Sequence, residues 1–176
     1  LLRVLADLFA TVLFLTALFK MPIANASAIL QILPLTVTLF AALILREKFG
    51  LKRFFAICIG FCGVLLIIKP GTSGFNIYSL VALSAVFFLT IREIITKKIS
   101  RDTSSLLITF MTALVITVAG GLGVIFIQEW RFVGIDIIFA LAFAAIFIFI
   151  GYFFSIPAIQ YGEISFVSPF RFTLMI

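Results

Sequence analysis

Four residues, Ser27, Gln31, Pro34 and Thr38, interrupt an otherwise apolar run at intervals of four, three and four. On a helix that spacing puts all four on one face, with Ala24 and Ala41 continuing the stripe. An unpaired amide in hydrocarbon costs several kcal/mol, so Gln31 must turn toward protein, water or a ligand. Pro34 has no N–H to donate, which frees a carbonyl one turn earlier, near Leu30, and favours a kink. Two readings fit this face: a hydrogen-bonded packing seam between helices, or the lining of a substrate cavity.

Similar interruptions recur near the end of the chain. Tyr152 and Ser155 lie deep in an apolar run, and a buried phenol needs a partner. Core packing and cavity lining both accommodate Tyr152. Ser168, Pro169 and Arg171 sit in the last run, where an arginine costs about 2.5–3.5 kcal/mol at the membrane centre. Arg171 either snorkels to the inner face or serves a site. Asp7, Arg92 and Glu93 fall near the ends of their runs and read as interfacial. No carboxylate stands clearly at mid-membrane, so proton coupling has no evident carrier.

Metal, redox and nucleophilic chemistry find few materials here. Histidine is absent, and Cys58 and Cys62 lie four apart in one apolar run, as small packing residues would. No metal, haem, zinc or iron–sulfur ligand set can be assembled, no cofactor is expected, and a membrane-embedded enzyme lacks its catalytic constellation.

The elements that must position these groups follow from composition. Of 176 residues 64% are hydrophobic and 11% charged, with 23 phenylalanines and a mean hydropathy of +1.36. Soluble domains carry about 25% charged residues. Lipid is therefore the solvent, and the lipid bilayer a partner. The net charge of +6 could suggest nucleic acid, but the cations gather at the ends of apolar runs and report orientation instead.

A span needs about 20 apolar residues. Six runs qualify: Val4–Phe19 (short as given), Met21–Leu45, Leu51–Ile68, Ile77–Ile95, Ser104–Ile127 and Ile135–Ile159, with a seventh starting near Ile164. The expected fold is an all-α polytopic membrane protein. Nine cations, Arg3, Arg46, Lys48, Lys52, Arg53, Arg92, Lys97, Lys98 and Arg101, share one side against Lys20, Lys69 and Arg131. The positive-inside bias makes the first side cytoplasmic and puts Tyr78 and Trp130 at the outer interface. The apolar start and the cut-off last run read as a piece of a longer protein. Small-residue faces, Ala56, Gly60 and Gly63 in the third span and Gly151, Ser155, Ala158 and Gly162 in the sixth, suit close helix packing.

An internal repeat is faintly visible. Ala17, Ile23 and Ser27 recur as Ala158, Ile164 and Ser168, displaced by 141 residues. The two copies lie five spans apart, so one is inverted relative to the other. Inverted repeats with kinked helices around a midplane site mark secondary transporters.

The stretch ALFKMPIANASAILQILPLTVTLFAALILREKFGLKRFFAICIGFCGVLLIIKPG, from Ala17 to Gly71, resembles the end of an EamA repeat of the drug/metabolite transporter (DMT) superfamily. The features that carry the resemblance are the mid-span Pro34, the LREK ending with Glu47, and the next helix, with Gly60 and Gly63 before Lys69-Pro70-Gly71. Tyr78 to Ser100 is similar to the helix that opens the second repeat, and Tyr152 to Phe172 to a later junction with Ser165, Val167 and Pro169. The resemblance implies ten helices in two inverted five-helix repeats. This chain would cover helices three to nine, with 1–71 closing the first repeat (three spans) and 72–176 forming a truncated second (four spans). It further implies alternating-access transport of a small polar metabolite across the plasma (inner) membrane, and allows a homodimer. The expected substrate-binding residues are Ser27, Gln31, Thr38, Tyr152, Ser155, Ser168 and Arg171, with Pro34 and Pro169 shaping their helices. A channel-like or non-transporting membrane subunit is the alternative; a channel should carry a longer continuous polar stripe than these runs show.

Overall fold

In the computed structural model, residues 1–45, 50–68, 76–100, 103–127 and 134–167 are described. They form helices joined by short connections: α1 (Leu2–Leu18), α2 (Ile23–Leu30), α3 (Leu33–Leu45), α4 (Leu51–Ile68), α5 (Ile77–Lys98), α6 (Ser105–Ile127), α7 (Ile135–Tyr161) and the short α8 (Ile164–Val167). Four stretches among the described residues are long and apolar enough to cross a membrane: Ile23–Leu45, Ile77–Lys98, Ser105–Phe126 and Ile135–Tyr161. The 17 residues of α1 rise about 26 Å, a little under the hydrocarbon thickness. The chain is an all-α, multi-pass membrane protein. The basic connections around Arg46–Lys48 and Arg101, and Trp130, Arg131, Ser168, Pro169 and Arg171, lie outside the described residues.

Helix α5 is the hub, packing against α1, α2, α3 and α7. Its closest neighbour is α1, and small side chains bring the two together: Ala6, Ala10 and Ala17 from α1, Ala82 and Ala85 from α5, all buried. Small residues let backbones approach where lipid supplies no hydrophobic drive for association. The helices are antiparallel, since Arg3 reaches Thr96, Asp7 reaches Arg92 and Phe9 stacks on Phe88. Helix α7 runs parallel to α5, with Tyr152 beside Arg92 and the turn after α7 beside Lys97. Ile29, Ile32, Leu33, Val37 and Val86 fill the core between them.

The second apolar run is interrupted, as Pro34 leads one to expect. α2 ends at Leu30 and α3 restarts at Leu33, one residue before the proline. Gln31 caps α2 with its N–H shared between the carbonyls of Ser27 and Ala28. The hydroxyl of Thr36 donates to the Leu33 carbonyl at 2.9 Å, and that of Thr38 to the Pro34 carbonyl at 2.7 Å. By contrast, Pro157 sits inside a continuous α7.

The small-residue faces divide. A Cβ at Gly60 would come within 2.7 Å of the Leu35 side chain, so glycine there lets α4 close on α3. A Cβ at Gly162 would meet the Ala158 carbonyl oxygen at 2.7 Å and Val167 at 2.8 Å, which fixes glycine at the α7–α8 turn. Gly63 and Gly151 have open space around them. Cys58 and Cys62 are free thiols on the exposed side of α4 rather than packing residues. Along the first two turns and beyond, α7 exposes Phe139, Phe143 and Phe147, an apolar surface suited to lipid or to another helix.

Candidate functional site

A cavity of about 760 Å³ opens between the α2–α3 break, α5 and α7. Ligand sites in proteins commonly measure about 300–1,000 Å³. One wall comes from the interrupted helix and presents Ser27, Gln31 and Pro34; Leu30 and Leu33 supply its apolar ground. The facing wall holds Arg92 and Leu89 from α5 with Ile148, Gly151, Tyr152 and Ser155 from α7. The broken helix matters for this geometry. Ending α2 at Leu30 turns the polar face of Ser27 and Gln31 toward α7 instead of continuing a straight stripe.

Of the residues singled out from sequence, Ser27, Gln31, Pro34, Tyr152 and Ser155 therefore share one cavity. Thr38 is buried, and its hydroxyl is committed to the Pro34 carbonyl one turn back. Ser168, Pro169 and Arg171 fall outside the described residues.

Behind the cavity lies a charge network that sequence reading misplaced. Asp7, Arg92 and Glu93 were expected at the interface, yet Asp7 is 1% and Glu93 2% exposed. The correction has a physical cause: Asp7 finds its counter-charge in Arg92 across the α1–α5 seam, and Glu93 pairs with Arg92 beside it on α5. Arg92 donates through one terminal nitrogen to Asp7 Oδ1 at 2.7 Å and to the Tyr152 hydroxyl at 2.9 Å. Its other terminal nitrogen meets Glu93 Oε1 at 2.5 Å. The Tyr152 hydroxyl in turn donates to Asp7 Oδ2 at 3.3 Å, closing a ring of three groups from three helices. Arg3, one turn before Asp7, is also buried and donates to the Thr96 and Thr112 hydroxyls at 2.9 and 2.5 Å. Both guanidinium carbons lie within cation–π range of the Tyr152 ring, 5.6 Å from its centroid for Arg92 and 6.0 Å for Arg3.

A signal for this network was present in the sequence. Arg3 and Asp7 are four apart, as are Arg92 and Thr96, so each pair shares a helix face. Antiparallel packing of the two faces matches Arg3 with Thr96 and Asp7 with Arg92. Seeing it required knowing that α1 and α5 are partners, which no local pattern states.

A second tie holds the far end of α7. Lys97 donates to the Gly162 carbonyl and approaches that of Gln160 at 3.4 Å. A cation at a helix C-terminus is favourably placed for the exposed carbonyls and the helix dipole.

No group of three or more potential metal ligands occurs among the described residues. What the arrangement offers is hydrogen bonding, an aromatic face and an apolar floor.

Comparison with known proteins gives this cavity its context. Residues 1–69, which include α1, α2, α3 and Ser27, Gln31 and Pro34, match the EamA-like transporter family. This part of the chain is similar to the EamA-like transporter family. The match bears out the resemblance to EamA-type transporters of the drug/metabolite transporter superfamily. A riboflavin transporter of Vibrio cholerae is 35% identical over 117 residues, 65% of this chain and 39% of that relative. An S-adenosylmethionine uptake transporter of Rickettsia prowazekii is 30% identical over 94 residues, 53% of this chain and 32% of that relative. The chain thus spans well under half the length of either relative. Both are named as transporters and neither as an enzyme, in line with the reading against enzymatic chemistry. No solved structure matches.

Proposed function

We propose that this EamA-type chain forms part of a secondary transporter in which the α2–α3, α5 and α7 cavity receives a small metabolite. The observation that carries the reading is the convergence of Ser27 and Gln31, from the broken helix, on the same cavity as Tyr152, Ser155 and Arg92. A polar face around a proline break is costly in lipid unless it serves a wet or ligand-filled space. Ser27 and Gln31 would orient the metabolite from one side, Tyr152, Ser155 and Arg92 from the other, and Pro34 would hold the break open.

The transport mode we infer is alternating access between two inverted repeats, residues 1–71 closing the first and 72–176 beginning the second. Support comes from the 141-residue displacement: α2 starts at Ile23 and α8 at Ile164, each just after a longer apolar helix. The plasma membrane is the proposed location, as for a metabolite importer or exporter of a bacterial cell. The two named relatives make riboflavin and S-adenosylmethionine the first candidates.

Uptake of labelled riboflavin and S-adenosylmethionine into vesicles holding the full-length protein tests the reading. Uptake of either, lost in Gln31→Ala while membrane insertion is retained, is the expected result. Uptake unaffected by Gln31→Ala would remove the cavity from the transport path.

A further inference from the structure

The Arg92 guanidinium is the one cation among the described cavity-lining residues, and its charge is already answered. Asp7 accepts at 2.7 Å and Glu93 at 2.5 Å, and neither carboxylate lines the cavity. Arg3, buried one turn from Asp7, completes a cluster of two guanidinium groups and two carboxylates. The cluster is electrically neutral as a unit, and it is sealed: the side chains of Arg92 and Asp7 are 11% and 2% exposed. A lone cation in such a low-dielectric wall would draw anions strongly; one flanked by two carboxylates does not.

Arg92 nevertheless keeps hydrogen-bonding capacity. A guanidinium carries five N–H donors, and three are committed here, to Asp7, Tyr152 and Glu93. Nε is buried without a partner among the described residues, so the donor left for a metabolite is the second N–H of the nitrogen that meets Glu93. The other polar groups among the described lining residues, Ser27, Gln31, Tyr152 and Ser155, are neutral.

We propose that the cavity selects a metabolite without net charge, because Asp7 and Glu93 cancel the field of Arg92 while leaving it able to donate a hydrogen bond. The proposal rests on the cavity being the metabolite site and specifies the substrate class for it, which favours riboflavin, uncharged near neutral pH, over the sulfonium cation S-adenosylmethionine. Asp7 and Glu93 act as positioning residues: they set the electrostatic character of the cavity through Arg92 without touching the metabolite.

The test reads the cavity's field directly and needs no transported ligand. In the full-length protein freed of all its own cysteines, Cys58 and Cys62 among them, Ser155→Cys places a single reporter thiol in the lining. Its modification rates are measured with three methanethiosulfonates of similar size, bearing hydroxyethyl, sulfonatoethyl and trimethylammonioethyl groups. The expected anion-to-cation rate ratio lies within about threefold of that for a small free thiol. Asp7→Asn, which strips one counter-charge while keeping side-chain shape, should raise that ratio on the order of tenfold. Glu93→Gln should act in the same direction and serves if Asp7→Asn does not fold. A strong preference for the anionic reagent in the unsubstituted background would overturn the proposal; an Arg171 guanidinium in the same cavity would produce that result. So would a ratio that neither substitution moves. Failure of uptake in vesicles would instead count against the transport reading and leave these rates interpretable.

Discussion

The two walls of the cavity are built by opposite means. The α2–α3 wall uses neutral polar groups on a broken helix, all drawn from one short segment between Ser27 and Pro34. The α5–α7 wall uses a guanidinium held by groups from α1 and α7 that are 85 and 60 residues away in sequence. The first wall presents its polarity by interrupting backbone structure. The second keeps its helices continuous and makes its polarity affordable by pairing charges in the interior. On the proposed function, this difference gives the α5–α7 wall a stability role beside its site role and leaves the α2–α3 wall mainly to recognition.

That division predicts the largest effect at Arg92. Arg92→Ala leaves Asp7 and Glu93 buried without their cation, and breaking a buried pair by removing one partner costs about 3–5 kcal/mol. Thermal unfolding in detergent should show a large drop in the unfolding midpoint, with little protein recovered. Arg92→Lys keeps the charge but cannot reach Asp7, Tyr152 and Glu93 from one planar fork, so its loss should be intermediate. If Arg92→Ala unfolds like the unsubstituted protein, the seam is not structural and the contrast between the walls collapses.

Gln31→Ala should behave in the opposite way. Removing one hydrogen-bonding amide from a ligand wall costs about 0.5–1.5 kcal/mol of interaction, up to roughly tenfold in affinity. Metabolite uptake should fall by that order while the unfolding midpoint barely moves. A large drop in stability would instead make Gln31 part of a packing seam, the reading its spacing also allowed.

The smallest effect is expected at Thr36. Its hydroxyl lies 2.8 Å from that of Thr90 on α5 and also serves the Leu33 carbonyl beside the break. Thr36→Val should destabilise by about 1 kcal/mol and leave uptake unchanged. A marked uptake defect would show that the geometry of the break depends on this tie to α5.

The same contrast explains what could be read from sequence. The α2–α3 wall was legible because a single stripe of spacing and one proline encode it. Composition alone established the membrane helices, and their bounds followed from apolar run length. Tyr152 and Ser155 were also recognised as polar groups in an apolar run. Arg92 was not, because a charge near the end of an apolar run has the same local pattern whether it snorkels or pairs. Asp7 was misplaced for the same reason. Only the antiparallel contact between α1 and α5, set by Ala6, Ala10, Ala82 and Ala85, decides the matter. Pro157 drew no attention in the sequence, and its helix indeed runs through it.

The central claim is that both walls face one metabolite. Ligand protection of two reporter thiols measures this most directly, using Ser27→Cys and Ser155→Cys on opposite walls and Lys20→Cys, in the exposed connection after α1, as control. In the full-length protein free of its own cysteines, a transported metabolite should slow modification at both wall positions over the same concentration range. The Lys20→Cys control should be unaffected. Protection of one wall alone, or of neither while uptake proceeds, would contradict a shared cavity.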